Sequence, residues 1–280
     1  MKEDNLLEKD DCMEIHVEPY SEVMHDNGCA GQLTFLPICR NTNNMVVQAN
    51  SMILGRQNLS LNEAKLVRIA IMQIVKDDVE FKPYIINISE LADMFGIDSS
   101  NMYRDIKVIC SGVMSKYLEI QSEDGSWEQY HWTSTCKYNA QTKKVEIQLD
   151  ESLKPFLINL TSYYTQYQLE YALAMKSVYA VRIFELIQEE IMTKIIPKEG
   201  IKVYLGLETI REACDLNVWD KSGKVVVKRK LDKISHFKEK VLDIAVREIE
   251  RVTTYTVKYE SVKEGRTIVG YNFIINMSYH

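Results

Sequence analysis

The chain has 280 residues, 46% hydrophobic and 26% charged, with only five prolines and eleven glycines, a balance that excludes collagenous and low-complexity architectures. No apolar run reaches the ~18 residues needed to cross a bilayer, and the acidic first twenty residues lack the basic and apolar regions of a secretory signal, so a cytoplasmic protein is expected. The net charge of −6 is unevenly placed: residues 1–46 hold nine acids against three bases, and the other 234 balance to neutral.

Residues 1–45 show no sustained helical or strand period and read as an acidic, mostly disordered leader. Its Cys12, His16, His25 and Cys29 match no familiar zinc spacing, and the six cysteines of the chain contain no CxxC pair. Reduced thiols, no metal and no cofactor are expected.

Order is expected from Met45 onward. Ser60 and Glu63 form a capping box ahead of an apolar helix through Val75. A short strand at 84–88 and a helix from Ser89 to Phe95, stopped by Gly96, come next. Ser99 or Ser100 is expected to cap a further helix to about Lys116. Its buried stripe is Met102, Ile106, Ile109, Cys110 and Val113, and its opposite stripe is Ser100, Arg104, Lys107 and Ser111. Two strands around Asp124-Gly125 predict a hairpin, and a third strand at 144–149 closes the unit.

A polar, aromatic stretch then leads into one long predicted helix, 169–192. The earlier order returns after Gly200: strand 201–205, helix 208–216, helix from about Ser235 to Val252, and strands 255–262 and 267–275 around Glu264-Gly265. The two later helices of each half start about 135 residues apart, a spacing suited to a duplicated domain. Helix, turn, helix and hairpin is the order of a winged helix-turn-helix, although helix-plus-hairpin modules also dock proteins. The expected fold class is therefore α+β, two tandem winged helix-turn-helix domains related by internal duplication. The first would span 46–165 and the second 166–280, joined through the helix 169–192.

Charge placement favours DNA. Between Lys221 and Lys240 lie eight bases, Lys221, Lys224, Lys228, Arg229, Lys230, Lys233, Lys238 and Lys240, against only Asp232 and Glu239. This run leads into the helix expected at Ser235, where ammonium groups and free backbone N–H donors together attract phosphate. Phe237, Val241, Ala245, Ile249 and Val252 would face inward, with His236, Lys240, Asp243 and Arg247 outward. His236 has the chemistry of a base reader and equally that of an ordinary surface histidine. Lys258, Lys263 and Arg266 decorate the last hairpin. In the first half, Arg104 and Lys107 offer a planar fork and a point charge for guanine or phosphate, with Ser100, Asn101 and Tyr103 beside them.

The second half resembles the Rep_3 type of iteron-binding plasmid replication initiators. The residues that carry the likeness are the helix His236–Ile249 (HFKEKVLDIAVREI), the strand segment Val257-Lys258-Tyr259 and the wing around Lys263-Glu264-Gly265-Arg266. Val46–Asn50, Leu59–Glu63 and Tyr179–Ile187 (YAVRIFELI) are similar to further segments of that family. The resemblance implies two winged-helix domains that bind directly repeated double-stranded origin DNA, help melt the adjacent duplex and recruit the host initiator and replicative helicase. It also implies a homodimer, formed largely through the first domain and in equilibrium with monomer, that represses an operator. Glu239 stands where relatives are often basic.

A winged-helix repressor without an origin is the first alternative. A nicking, rolling-circle initiator is the second, but His16, His25, His131, His236 and His280 include no His-hydrophobe-His metal pair, and there is no GxxxxGK[ST] loop. No catalytic residue and no membrane partner are expected.

Overall fold

The computed structural model describes residues 44–122, 124–192, 194, 196–197, 199–220 and 226–277. Residues 1–43 of the expected leader, with Cys12, His16, His25 and Cys29, lie outside the described residues, as do Lys221 and Lys224 of the basic run; Met45, at the end of that leader, already belongs to the first strand.

The chain opens with β1 (Met45–Ala49), α1 (Asn50–Leu54), β2 (Arg56–Gln57) and α2 (Leu61–Met72). The capping box forms as read, with the Glu63 carboxylate accepting from the Ser60 N–H at 2.6 Å. The first helix-turn-helix follows as β3 (Tyr84–Asn87), α3 (Ile88–Phe95) and α4 (Ser99–Ser115). Gly96 stops α3 at φ 65°, a left-handed conformation that glycine adopts without strain. The cap of α4 is Asp98 rather than either serine: its carboxylate accepts from the Ser100 N–H at 2.8 Å, matching the positive helix start better than a hydroxyl does.

After α4 come two hairpins, where the sequence suggested one hairpin and a single closing strand. The first is β4 (Tyr117–Gln121) with β5 (Trp127–His131); it turns through Asp124 and Gly125 as expected, but pairs with β2. The second is β6 (Thr133–Asn139) with β7 (Lys144–Leu149), and it pairs through β7 with β3, Ile147 opposite Tyr84. This second hairpin is the wing. Its outer strand reads Thr-Ser-Thr-Cys-Lys-Tyr-Asn, which lacks the alternation that marks a half-buried strand.

A short α5 (Lys154–Leu157) precedes β8 (Tyr164–Gln168), which pairs along its whole length with β1 and so ties residues on both sides of the expected 165/166 boundary to one sheet. The single helix expected over 169–192 is two helices, α6 (Leu169–Ala174) and α7 (Val178–Ile191). Between them Met175 is extended and buried, while the carboxylate of Glu248 accepts from the N–H groups of Lys176 (2.6 Å) and Ser177 (3.2 Å). A side chain over 70 residues away thus satisfies the donors exposed by the break.

The second helix-turn-helix comprises β9 (Ile201–Gly206), α8 (Leu207–Ala213) and an unforeseen hairpin, β10 (Asn217–Trp219) with β11 (Val226–Arg229). The helix expected to reach Leu216 ends at Ala213, because Asp215 turns back through a left-handed φ of 50° to begin that hairpin. Then α9 (Ile234–Phe237), a π-helical turn (Lys238–Leu242) and α10 (Asp243–Val252) run on as one helix, followed by the wing β12 (Tyr255–Glu264) and β13 (Thr267–Met277). Strand order β12-β13-β9 repeats β6-β7-β3, and the recognition helices begin at Ser99 and Ile234, 135 residues apart. The chain therefore has the α+β fold of two tandem winged helices.

Candidate nucleic-acid interface

The second recognition helix buries Phe237, Val241, Ala245 and Ile249, each 0% exposed. A regular α-helix gains about 40° for every step of four residues, so this stripe would drift off the core. The π-helical turn at 238–242 takes up the drift and keeps the four side chains aligned. As predicted, His236, Lys240, Asp243 and Arg247 lie exposed on the opposite face. Lys233 and Ser235 are exposed at the leading end, where Lys233 holds the N-cap position without a side-chain cap.

A residue that sequence reasoning missed sets this leading end in place. Arg211 of α8 is 1% exposed and donates to the carbonyls of Lys230 (3.1 Å) and Leu231 (3.3 Å). Its guanidinium also lies 4.9 Å from the centre of the Phe237 ring. Leu231 itself is held at a left-handed φ of 51°. Nothing in the surrounding Ile-Arg-Glu-Ala run distinguishes Arg211 from a solvated helix arginine.

The cations of the basic run have different surroundings. Lys228 is exposed and makes no ion pair among the described residues. Arg229 pairs with Glu208, Lys230 with Asp215 (both 2.8 Å) and Lys240 with its neighbour Glu239 (2.7 Å). Such exposed pairs are each worth about 0–1 kcal/mol, so phosphate can compete for all three cations. Lys238 instead folds back over the rings of Tyr259 (5.8 Å) and Tyr271 (5.9 Å). Asp243, which would repel phosphate, accepts from the Tyr259 hydroxyl at 2.6 Å and so ties the helix to the wing. Lys258, Lys263 and Arg266 are exposed on that wing, whose tip turns at Gly265 with φ 60°.

On α4, Ser100, Asn101, Tyr103, Arg104 and Lys107 are all exposed, and Met102, Ile106, Ile109 and Val113 are buried beneath them. Arg104 pairs with Asp105 at 2.8 Å, and Ser100 donates its hydroxyl to Asp98. The wing brings Lys143 to this helix: at the β6–β7 turn, φ 56°, its ammonium sits 5.2 Å from the centre of the Tyr103 ring. Lys143 drew no attention in the sequence because it lies 40 residues from Tyr103 in an ordinary polar turn.

Two recognition helices, each with an exposed cation-bearing face, a buried apolar stripe and a three-stranded wing sheet behind, define a tandem winged-helix protein. Family models agree: that of the initiator replication protein WH1 domain matches residues 45–188, and that of the initiator Rep protein WH2 domain matches 208–275. The chain belongs to this family of replication initiators.

An Escherichia coli "Replication initiation protein" is 24% identical over 166 residues, which are 58% of this chain and 52% of that relative. The chain thus matches about half the length of that relative. The crystal structure of the Pi initiator protein in complex with iteron DNA superposes with a TM-score of 0.69 at 16% identity, covering 86% of this chain and 100% of the other, a likeness of fold. Among the described residues, no helix is long and apolar enough to cross a membrane, and no group of three or more His, Cys, Asp and Glu side chains is placed to hold a metal ion.

Proposed function

We propose that this chain initiates plasmid replication by binding directly repeated origin DNA through both winged helices. The observation that carries the reading is the pair of outward cation-bearing helix faces within one family member: Lys233, Ser235, His236, Lys240 and Arg247 on one, Ser100, Asn101, Tyr103, Arg104 and Lys107 on the other. Lys228, Arg229, Lys230, Lys263 and Arg266 hold phosphate around the second helix, and Lys238 supports it from the tyrosine shelf. The domain ends and the roles of all these side chains belong to the proposal.

Bound origin repeats place the protein beside a duplex that it helps to open, and host initiator and replicative helicase are then recruited. A homodimer in equilibrium with monomer occupies an operator instead. The work is done in the bacterial cytoplasm and has no catalytic step: binding energy and DNA deformation perform it. Support comes from family membership and from the iteron-DNA complex of the similar Pi initiator.

The test is a footprint on the DNA flanking the gene, combined with permanganate probing of supercoiled template. Protection of several direct repeats with reactive thymines in an adjoining A+T-rich tract is expected. Protection of a lone inverted repeat with no melting would replace the reading with simple repression, and nicked circles accumulating with magnesium would replace it with a nicking enzyme.

A further inference from the structure

Val108 stands on the outward face of α4, 71% exposed, one turn beyond Arg104 and one turn before Ser111, with Lys107 beside it. Folding gives no reason for a valine there. Its β-branched side chain favours a helix less than the straight-chain polar residues do, and the buried stripe Met102, Ile106, Ile109 and Val113 lies on the other side of the helix. The second domain treats the equivalent position differently. Met102 and Ile106 correspond, 135 residues on, to Phe237 and Val241, all four buried, whereas Val108 corresponds to Asp243, which is tied to Tyr259 of its wing at 2.6 Å. Among the described residues, large exposed apolar side chains occur on α4, at Tyr103, Val108 and Met114, and none occurs on the second recognition helix.

We propose that Val108 reads thymine, packing its methyl groups against the C5-methyl of one T·A pair in the major groove. The proposal rests on the reading of α4 as a DNA-contacting helix and names a specificity-determining residue of it. Arg104 and Lys107 on the helix and Lys143 on the wing give this face the charge that draws it to a phosphate-lined groove. Once there, the methyl groups of Val108 can neither donate nor accept a hydrogen bond. The polar edges of guanine, adenine and cytosine would lose water against them and gain nothing, and only thymine presents a methyl group of its own.

Discrimination thus has an attractive and a repulsive part. In a helix, valine is largely confined to one χ1 rotamer, so the contact forms with little loss of side-chain freedom. From Arg104 to Val108 the helix advances about 6 Å, against about 3.4 Å for one base-pair step. The thymine read by Val108 should therefore lie within about two base pairs of the position that Arg104 reaches.

The experiment uses the full chain and a duplex selected from random sequence by the wild-type protein. Each thymine is replaced in turn by deoxyuridine, which removes one methyl group and leaves every hydrogen-bonding atom in place. In wild type, replacement at one position should lower affinity about fourfold, the worth of one buried methyl group. V108A should bind the unmodified duplex at least about fourfold more weakly and should be insensitive to deoxyuridine at that same position. A fresh selection with V108A should lose the preference for thymine there and keep the rest of the site. The variant exchanges an exposed residue for the best helix former, so its Tm should be unchanged or higher, which a merely structural valine would not allow. Unaltered affinity in V108A, or the same deoxyuridine effects in V108A as in wild type at every position, would overturn the proposal. R104A/K107A separates this from the reading beneath it. Weaker binding by that variant alongside a silent V108A would remove the methyl contact alone; undiminished binding, or failure of the wild type to select any duplex, would overturn the DNA reading of α4 and the proposal with it.

Discussion

Arg68 and Glu185, 117 residues apart, form a two-point ion pair in which both hydrogen bonds are 3.0 Å and neither residue is more than 1% exposed. The pair joins α2 to α7. Tyr167 (2.5 Å) and Gln48 (3.2 Å) donate to the same carboxylate from β8 and β1, and Arg182 from one turn earlier on α7 (2.5 Å). Arg182 then spends its remaining donors on backbone carbonyls of both halves: Ile53 and Gly55 (3.0 Å) behind α1, and Ala213 (3.0 Å) at the end of α8. One buried carboxylate thus fixes the geometry between the two winged helices.

Glu185 should give the protein a distinctive acid response. Burial by itself raises its carboxyl, but the guanidinium groups of Arg68 and Arg182 outweigh burial and hold it at about 2. A folded value below the unfolded 4.5 means the stabilisation is complete above pH ~4.5 and is lost as pH falls toward 2, by about 3 kcal/mol in all. E185Q should lose about 3–5 kcal/mol at neutral pH, because two guanidinium groups are left buried without their anion. Urea unfolding at several pH values should show this slope in wild type and a much flatter one in E185Q.

Replacing Lys228, Arg229 and Lys230 together with alanine should weaken DNA binding about ten- to hundredfold, to a similar degree on specific and unrelated duplexes, since phosphate contacts position without reading bases. The slope of log affinity against log salt should shrink by about two to three. Lys228 alone should account for more than a third of the loss, because Arg229 and Lys230 must first leave Glu208 and Asp215. Unchanged affinity in a salt titration of the triple variant would place the interface elsewhere.

R211M should destabilise the second domain by about 1–3 kcal/mol, leaving the carbonyls of Lys230 and Leu231 without their donor. R211K should not restore it, since one ammonium cannot serve two carbonyls and stack flat on Phe237. Hydrogen exchange should reveal the fault as faster amides at 230–235. Uniform protection in R211M would show that the loop holds itself.

K143A should lower affinity about two- to fivefold, the size of one phosphate contact at moderate salt, and Y103A should lower it at least as much by also freeing the Lys143 side chain. Fluorescence anisotropy on one duplex suffices. An unaffected K143A would confine phosphate contact in the first domain to α4 itself.

Local chemistry was legible wherever the cause of a structure lies within a turn or two of its effect. The capping box at Ser60, the stop at Gly96 and the stripe Phe237–Val241–Ala245–Ile249 are of this kind. The break at Met175 was not, because its cause is an acceptor on another helix: the run Leu169–Met192 is rich in Ala, Leu, Glu and Ile, and the freed N–H groups find their acceptor in Glu248. The wing was misplaced for a similar reason. Asp124-Gly125 is the stronger turn signal, but the hairpin beside α4 is the one whose inner strand pairs with β3.

The amino-acid order alone therefore settled that the chain carries two helix-turn-helix units 135 residues apart, and which side of each recognition helix faces out, since both follow from periodicity along short segments. Only the folded chain decided which cations already have a carboxylate partner, that Arg211 holds the loop before the second recognition helix, that Lys143 stands over Tyr103 of the first, and that one buried carboxylate sets the two halves against each other. Charge pairing depends on distance through space, and residues 20 to 120 positions apart come within 3 Å only after the core has closed.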